Sequence, residues 1–307
     1  MVTHKFNVKS LPQPGTTCTI AIIMHVVETT SRAFTVTHVI PGDAPVSGVT
    51  SLGDEVFVMR YDESQQVEVY DAMSFTLQRR LSVPGLGLSY GLAACASNKC
   101  LYAYDFDDNC VHRVKLSGSN AVIKWSVKEW PTGLTVNKAK NVLIMSKSEP
   151  KLQQFSTHGT LLQTFQLQSD IECPRGVAEL SSGQFVICNA GQDHCVCLLD
   201  DKGAVVRKYG STPGSELTKM KLPVGLAVDR HDNILVADSG NNRLLVLDRS
   251  LTSAHEMSVS VDGGQLGDPV SLWYDKSRDR LYIGEDKGHR VIIIDNLKNF
   301  TTSATAR

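Results

Sequence analysis

The chain has 307 residues, 42% of them hydrophobic, which is enough to bury the core of one large domain or two ordinary ones. Its 31 Lys and Arg against 32 Asp and Glu give a formal net charge of -1, which excludes a global field favouring nucleic acid or an anionic membrane and leaves only local patches. No apolar run reaches the ~18 residues that read as a membrane span; the best candidate, residues 18–27, is short and contains His25, so a soluble chain without membrane association is expected.

Taken in order, residues 1–33 read as an N-terminal extension, in which residues 17–27 form either an added strand or a short packed segment. A repeat follows. A small residue leading into an apolar strand recurs at Gly48, Gly91, Gly133, Gly176, Gly225 and Ser271, in steps of 43, 42, 43, 49 and 46 residues by subtraction. Self-similarity at this period indicates a propeller or an array. In each unit a second strand is predicted a few residues on, at 55–59, 100–104, 141–145, 185–188, 234–237 and 280–283. A third follows a polar loop, at 67–70, 111–114, 152–155, 195–199, 244–247 and 291–294. The first five units add a fourth, at 77–83, 121–127, 161–167, 204–209 and 255–261. Their β-branched and apolar content suits buried strands, and four strands per unit make the blade of a β-propeller.

The sixth unit runs out after Asp295, and what remains is a polar tail poor in strand formers. Residues 34–40, Phe-Thr-Val-Thr-His-Val-Ile, stand just before the first unit, where they can supply the missing strand. The expected fold is therefore all-β: a six-bladed β-propeller of four-stranded antiparallel blades over residues 34–297, its last blade closed by an N-terminal strand. Residues 298–307 are a C-terminal tail, whose use in place of that strand is the alternative way to close the ring.

The eight cysteines, at 18, 95, 100, 110, 173, 188, 195 and 197, fall largely inside apparent strands, and the N-terminus has no basic region followed by an apolar core. That pattern predicts buried free thiols in a reducing compartment, and a cytoplasmic location. Cys195 and Cys197 share a strand face, but no Cys-x-x-Cys pair stands by to complete a zinc site, so no metal is assigned.

The fifth unit carries the most regular motif: Leu-Pro-Val-Gly-Leu-Ala-Val-Asp at 222–229, Asn-Ile-Leu-Val-Ala-Asp at 233–238, and Asn-Arg-Leu-Leu-Val at 242–246. With Tyr-Gly-Ser at 209–211 and Gly-Gln-Leu at 264–266, it resembles NHL repeats, over about 260 residues and most closely in units four to six. The resemblance implies a six-bladed propeller, in agreement with the count of units. It also implies a role like that of the partner- or RNA-binding domain of tripartite-motif ubiquitin ligases, while related six-bladed rings include amidating lyases and lactonases. The RING and B-box cysteine and histidine clusters are not in this sequence, so ligase activity is not carried over.

In a four-stranded meander the joint leading into a blade and the loop between its second and third strands lie at one end, so they line one face of the ring. The candidate binding face comprises Tyr90, Trp130, Arg175, His194, Lys219, Lys221, Asn242, Arg243, Lys287, His289 and Arg290, with the long joint 211–221 projecting there. Its charge is divided: Asp62, Glu63, Asp105, Asp107 and Asp108 on blades one and two oppose Arg175, His194, Lys219, Lys221 and Arg243 on blades four and five, and blade six is mixed. A polar protein partner is the first reading for a monomeric propeller, and RNA on the basic sector is the second. The third is a metal-dependent lyase or hydrolase with an axial site, for which His112, His194 and His289 are the candidates. No phosphate loop and no matched carboxylate and amide set is present, and no catalytic residue and no cofactor is assigned.

Overall fold

A computed structural model describes residues 32–297 except 63, 119, 120 and 129. Residues 17–27, the C-terminal tail and Glu63 lie outside the described residues. Six sheets are arranged as blades. The first four blades are four-stranded antiparallel meanders in sequence order; the third, for example, is Pro131–Val136, Val142–Ser146, Lys151–Phe155 and Leu161–Gln166. The first strand of each blade lies against the first strands of both neighbours, and that of blade six returns to that of blade one, so the first strands wall a central channel.

Both faces of a blade are covered by adjacent blades, and the sequence shows it as unbroken apolar runs such as Val-Ile-Ile-Ile in Val291–Asp295. The hydrophobic interior is accordingly divided into six clusters, each shared by two adjacent blades; Leu235, Val246, Leu281 and Ile292, for instance, join blades five and six. The small residue opening each repeat has a packing cause. A Cβ on Gly133 would overlap the carbonyl oxygen of Arg175, and one on Gly225 would stand 2.7 Å from that of Val270. Only a bare Cα lets these first strands approach so closely. In the sixth blade Ser271 takes that place, and its hydroxyl accepts the Val49 N–H across the ring seam at 3.0 Å.

The last blade is closed by an N-terminal strand, His38–Ile40, which pairs antiparallel with Val291–Ile293. The expected strand over 34–40 is divided, however. Arg32–Phe34 runs parallel to Met257–Val259 on the outer edge of blade five, and the chain then crosses to blade six, where Thr37 donates to the Ile293 carbonyl. The added pairing covers part of the outer edge of blade five, whereas the outer strands of blades one to four carry no fifth strand among the described residues. Side chains reinforce the seam: Trp273 donates to Ser51 at 2.9 Å, Ser51 to Asp275 at 3.0 Å, and Arg278 pairs with Asp54 at 2.6 Å.

The seven cysteines among the described residues are buried and outside disulfides, including Cys195 and Cys197, whose sulfurs stand 3.6 Å apart. No described helix is long and apolar enough to cross a membrane.

Candidate functional site: the loop face

A residue at or just past the end of the second strand of a blade donates its N–H to a carbonyl of the joint leading into that blade. The pairs are Tyr61 to Pro45, Phe106 to Leu88, Lys147 to Trp130, Ala190 to Cys173, Gly240 to Lys221 and Asp286 to Asp268, at 2.8–3.1 Å. Joints and second loops thus form one face all round the ring.

A side chain at the end of the second strand ties the same two segments together. Asp238 accepts the Lys221 N–H at 2.6 Å, Glu285 that of Gly267 at 2.6 Å, Asp105 that of Gly87 at 2.8 Å, and Asn189 that of Cys173 at 2.9 Å. In blade one the polarity is reversed: Arg60 donates to the carbonyls of Pro41, Ala44 and His289, each at 3.1 Å. Blade three has Ser146 here, whose hydroxyl has no partner among the described residues.

Several predicted face residues belong to this framework. Arg243 bonds Asp238 at 2.7 Å and reaches the carbonyls of Ser215, Glu216 and Lys219 at 2.8, 3.1 and 2.9 Å, so its guanidinium holds the long joint in place. Arg290 pairs with the buried Glu285 at 2.6 Å. His194 accepts the Leu222 N–H on Nδ1 at 3.0 Å. The Asn242 side chain accepts the Asp268 N–H at 2.9 Å, with its own backbone at φ 53° in the left-handed region. His289, at φ 51°, contributes its carbonyl to Arg60. Lys219 and Lys287 pair with Glu216 and Asp268 at 3.4 and 3.2 Å, and Lys221 is exposed. The basic sector therefore carries less uncompensated charge than the count of its side chains suggests.

What the fold brings together instead is aromatic. Tyr61 and Tyr90 are tilted against each other with ring centroids 4.8 Å apart, and Phe106 and Trp130 likewise at 6.0 Å. Tyr90, Phe106 and Trp130 are 45%, 38% and 53% exposed. Tyr61, Tyr90, Tyr104 and Arg175 line the mouth of the axial channel with Asp268 and Asp286. Burial, with a hydrogen bond to Tyr61, raises the Tyr90 phenol above its ordinary value, partly offset by Arg175, so Tyr90 is neutral at pH 7. The Arg175 Nε has no partner among the described residues. Tyr61 and Phe106 were absent from the sequence-derived set, although each is the residue just after a second strand and so obeys the rule that selected the others.

The channel encloses about 970 Å³ and is walled by all six first strands. None of His112, His194 and His289 lines it. His112 is buried in blade two, with Nε2 at 3.3 Å from both Cys110 Sγ and Asp105 Oδ2. Burial pushes the Cys110 thiol up to about 11 and the His112 imidazole down, so at pH 7 these two do not form the thiolate–imidazolium pair of a cysteine nucleophile.

Fold and loop framework together define the class: the chain is a six-bladed β-propeller that carries an NHL repeat, and the sequence model of that repeat matches residues 221–247. It is similar to Protein brain tumor of Drosophila melanogaster, with 26% identity over 135 residues. That match covers 42% of this chain and 12% of the Drosophila protein's length. Among solved structures, virginiamycin B lyase from Staphylococcus aureus superposes with a TM-score of 0.61 at 9% identity, over 85% of this chain and 99% of that one. A Bacteroides thetaiotaomicron protein of unknown function gives 0.65 at 14% identity, over 82% and 69% of the two chains. At such identities these two likenesses concern the fold.

Proposed function

We propose that the propeller is a non-catalytic recognition scaffold that binds a protein partner through its loop face. The observation that carries this reading is the exposed aromatic group of Tyr90, Phe106 and Trp130, extended by Tyr61 and Arg175 at the channel mouth. Large aromatic side chains and arginine supply most of the energy at protein interfaces, and here they stand on a rigid ring at small entropic cost.

RNA on the basic sector is the second reading. It is weakened by the engagement of Arg243 and Arg290 with Asp238 and Glu285, and by the acidic side chains of Asp62, Asp107 and Asp108 on the same rim. The lyase reading has the likeness in fold for support, but it needs converging metal ligands at the axis, and the three candidate histidines do not line the channel.

Affinity capture with the intact chain, with and without nuclease, separates the readings. Recognition of protein predicts a captured protein that resists nuclease and is lost with Tyr90→Ala and Trp130→Ala combined. Capture abolished by nuclease, or unaffected by that double substitution, refutes it.

A further inference from the structure

Blade two departs from its neighbours at one buried point. In blades five and six the carboxylate ending the second strand meets an arginine at the start of the third: Asp238 with Arg243 at 2.7 Å and Glu285 with Arg290 at 2.6 Å. In blade two the corresponding carboxylate is Asp105, 0% exposed, and the residue facing it in register is Cys110. Two positions along the same strand, and so on the same face, stands His112, also 0% exposed. The nearby cation, Lys124, pairs with Asp108 at 3.2 Å. A buried carboxylate whose counterparts are neutralised by arginine thus has a thiol and an imidazole in the arginine's place.

We infer that Asp105, Cys110 and His112 form a binding site for one divalent cation of the zinc class, which supplies blade two with the charge that arginine supplies elsewhere. The distances suit one ion shared by the three side chains. Cys110 Sγ to His112 Nε2 and His112 Nε2 to Asp105 Oδ2 are both 3.3 Å, and all three donor atoms lie within 4.8 Å of one another. Charge-assisted bonds to a carboxylate are shorter, about 2.7–2.9 Å. Zinc bonds of about 2.3 Å to sulfur and about 2.0–2.2 Å to nitrogen and oxygen place neighbouring ligands of a tetrahedron about 3.3–3.6 Å apart. The donor set of thiolate, imidazole and carboxylate also suits zinc better than calcium or magnesium.

His112 also stands among the residues around a cavity of about 650 Å³ between the outer strands of blades one and two. Asp105 can ligate without leaving its framework role, because Oδ1 accepts the Asp107 and Asp108 N–H groups, and Oδ2, which accepts the Gly87 N–H at 2.8 Å, has a second lone pair on the side of the histidine. On binding, the Cys110 S–H bond breaks, the sulfur keeps the electron pair and donates it to the metal, and the proton leaves to solvent.

The test uses the full chain, freed of metal with a chelator and titrated with Co²⁺ and then Zn²⁺. The expected result is one Co²⁺ per chain with a thiolate-to-cobalt charge-transfer band, displaced by Zn²⁺. About one proton is released per zinc bound. Zinc at ~100 times its dissociation constant raises Tm by about 5 °C. Cys110→Ser loses the band and His112→Asn weakens binding at least ~10-fold, whereas Cys195→Ser retains both properties. Proton release and the band are read on the wild type, so a variant that fails to fold leaves the test intact. No stoichiometric metal, metal bound without proton release, or a band that survives in folded Cys110→Ser overturns the assignment.

Discussion

Arg243 offers a sharp perturbation, because its guanidinium joins three segments of blade five. It neutralises Asp238, whose carboxylate is 0% exposed, and donates to the carbonyls of Ser215, Glu216 and Lys219 in the joint leading into the blade. Truncation to Ala leaves a buried charge whose partners among the described residues are the Lys221 N–H and the Asn241 amide. Breaking a buried pair in this way costs about 3–5 kcal/mol. Arg243→Lys keeps the charge but cannot span the fork, and is expected to cost about 1–3 kcal/mol. Urea unfolding gives both values if the slope is unchanged, and hydrogen exchange reports whether amides of 212–221 lose protection. In a double-mutant cycle with Asp238→Asn, a coupling of about 1.5–3 kcal/mol is expected, since removing the charge removes what Arg243 compensates. A loss below ~1 kcal/mol for Arg243→Ala, with unchanged exchange in the joint, refutes the clamp.

Other substitutions test other parts of the account. Gly133→Ala puts a Cβ onto the Arg175 carbonyl and should cost ~2 kcal/mol or more in urea unfolding, whereas Gly53→Ala meets no neighbour and pays only for its φ of 59°. Ile40→Ala empties a position 2% exposed in the strand that closes the ring, and a loss of about 2–4 kcal/mol is expected by the same assay. Asp248 combines partial burial, which raises its carboxyl, with stronger hydrogen bonds from Ser250, Ser253 and Thr252 that bring it down to about 2 from 3.8. Its contribution is therefore complete above pH ~4 and lost as pH falls through ~2; allowing for solvent screening, Asp248→Asn should cost about 1 kcal/mol at pH 7 and only a small part of that at pH ~2.

The fold was legible because its determinants are local and repeated. The spacing from Gly48 to Ser271 follows the closest approaches of the first strands, and the apolar runs between them follow blades covered on both faces. The parallel pairing of Arg32–Phe34 with blade five was not legible, since nothing in a three-residue segment distinguishes the edge of one blade from that of the next. The face was legible as topology, and less so as chemistry. Arg243 looks like a free cation in sequence, yet its acceptors are the carbonyls of residues 24, 27 and 28 positions away. Tyr61 and Phe106 occupy loop positions of the same face, and only their ring contacts, Tyr61 with Tyr90 and Phe106 with Trp130, distinguish them from other loop residues.

The central claim, that the loop face recognises protein, is tested most directly by site-specific photo-crosslinking. One probe replaces Trp130 on that face, and a second replaces Lys276 in the turn between the first two strands of blade six, at the opposite end of the channel. The account predicts nuclease-resistant protein adducts from position 130 and none from position 276. Adducts to nucleic acid at position 130, or protein adducts from position 276 alone, would contradict it.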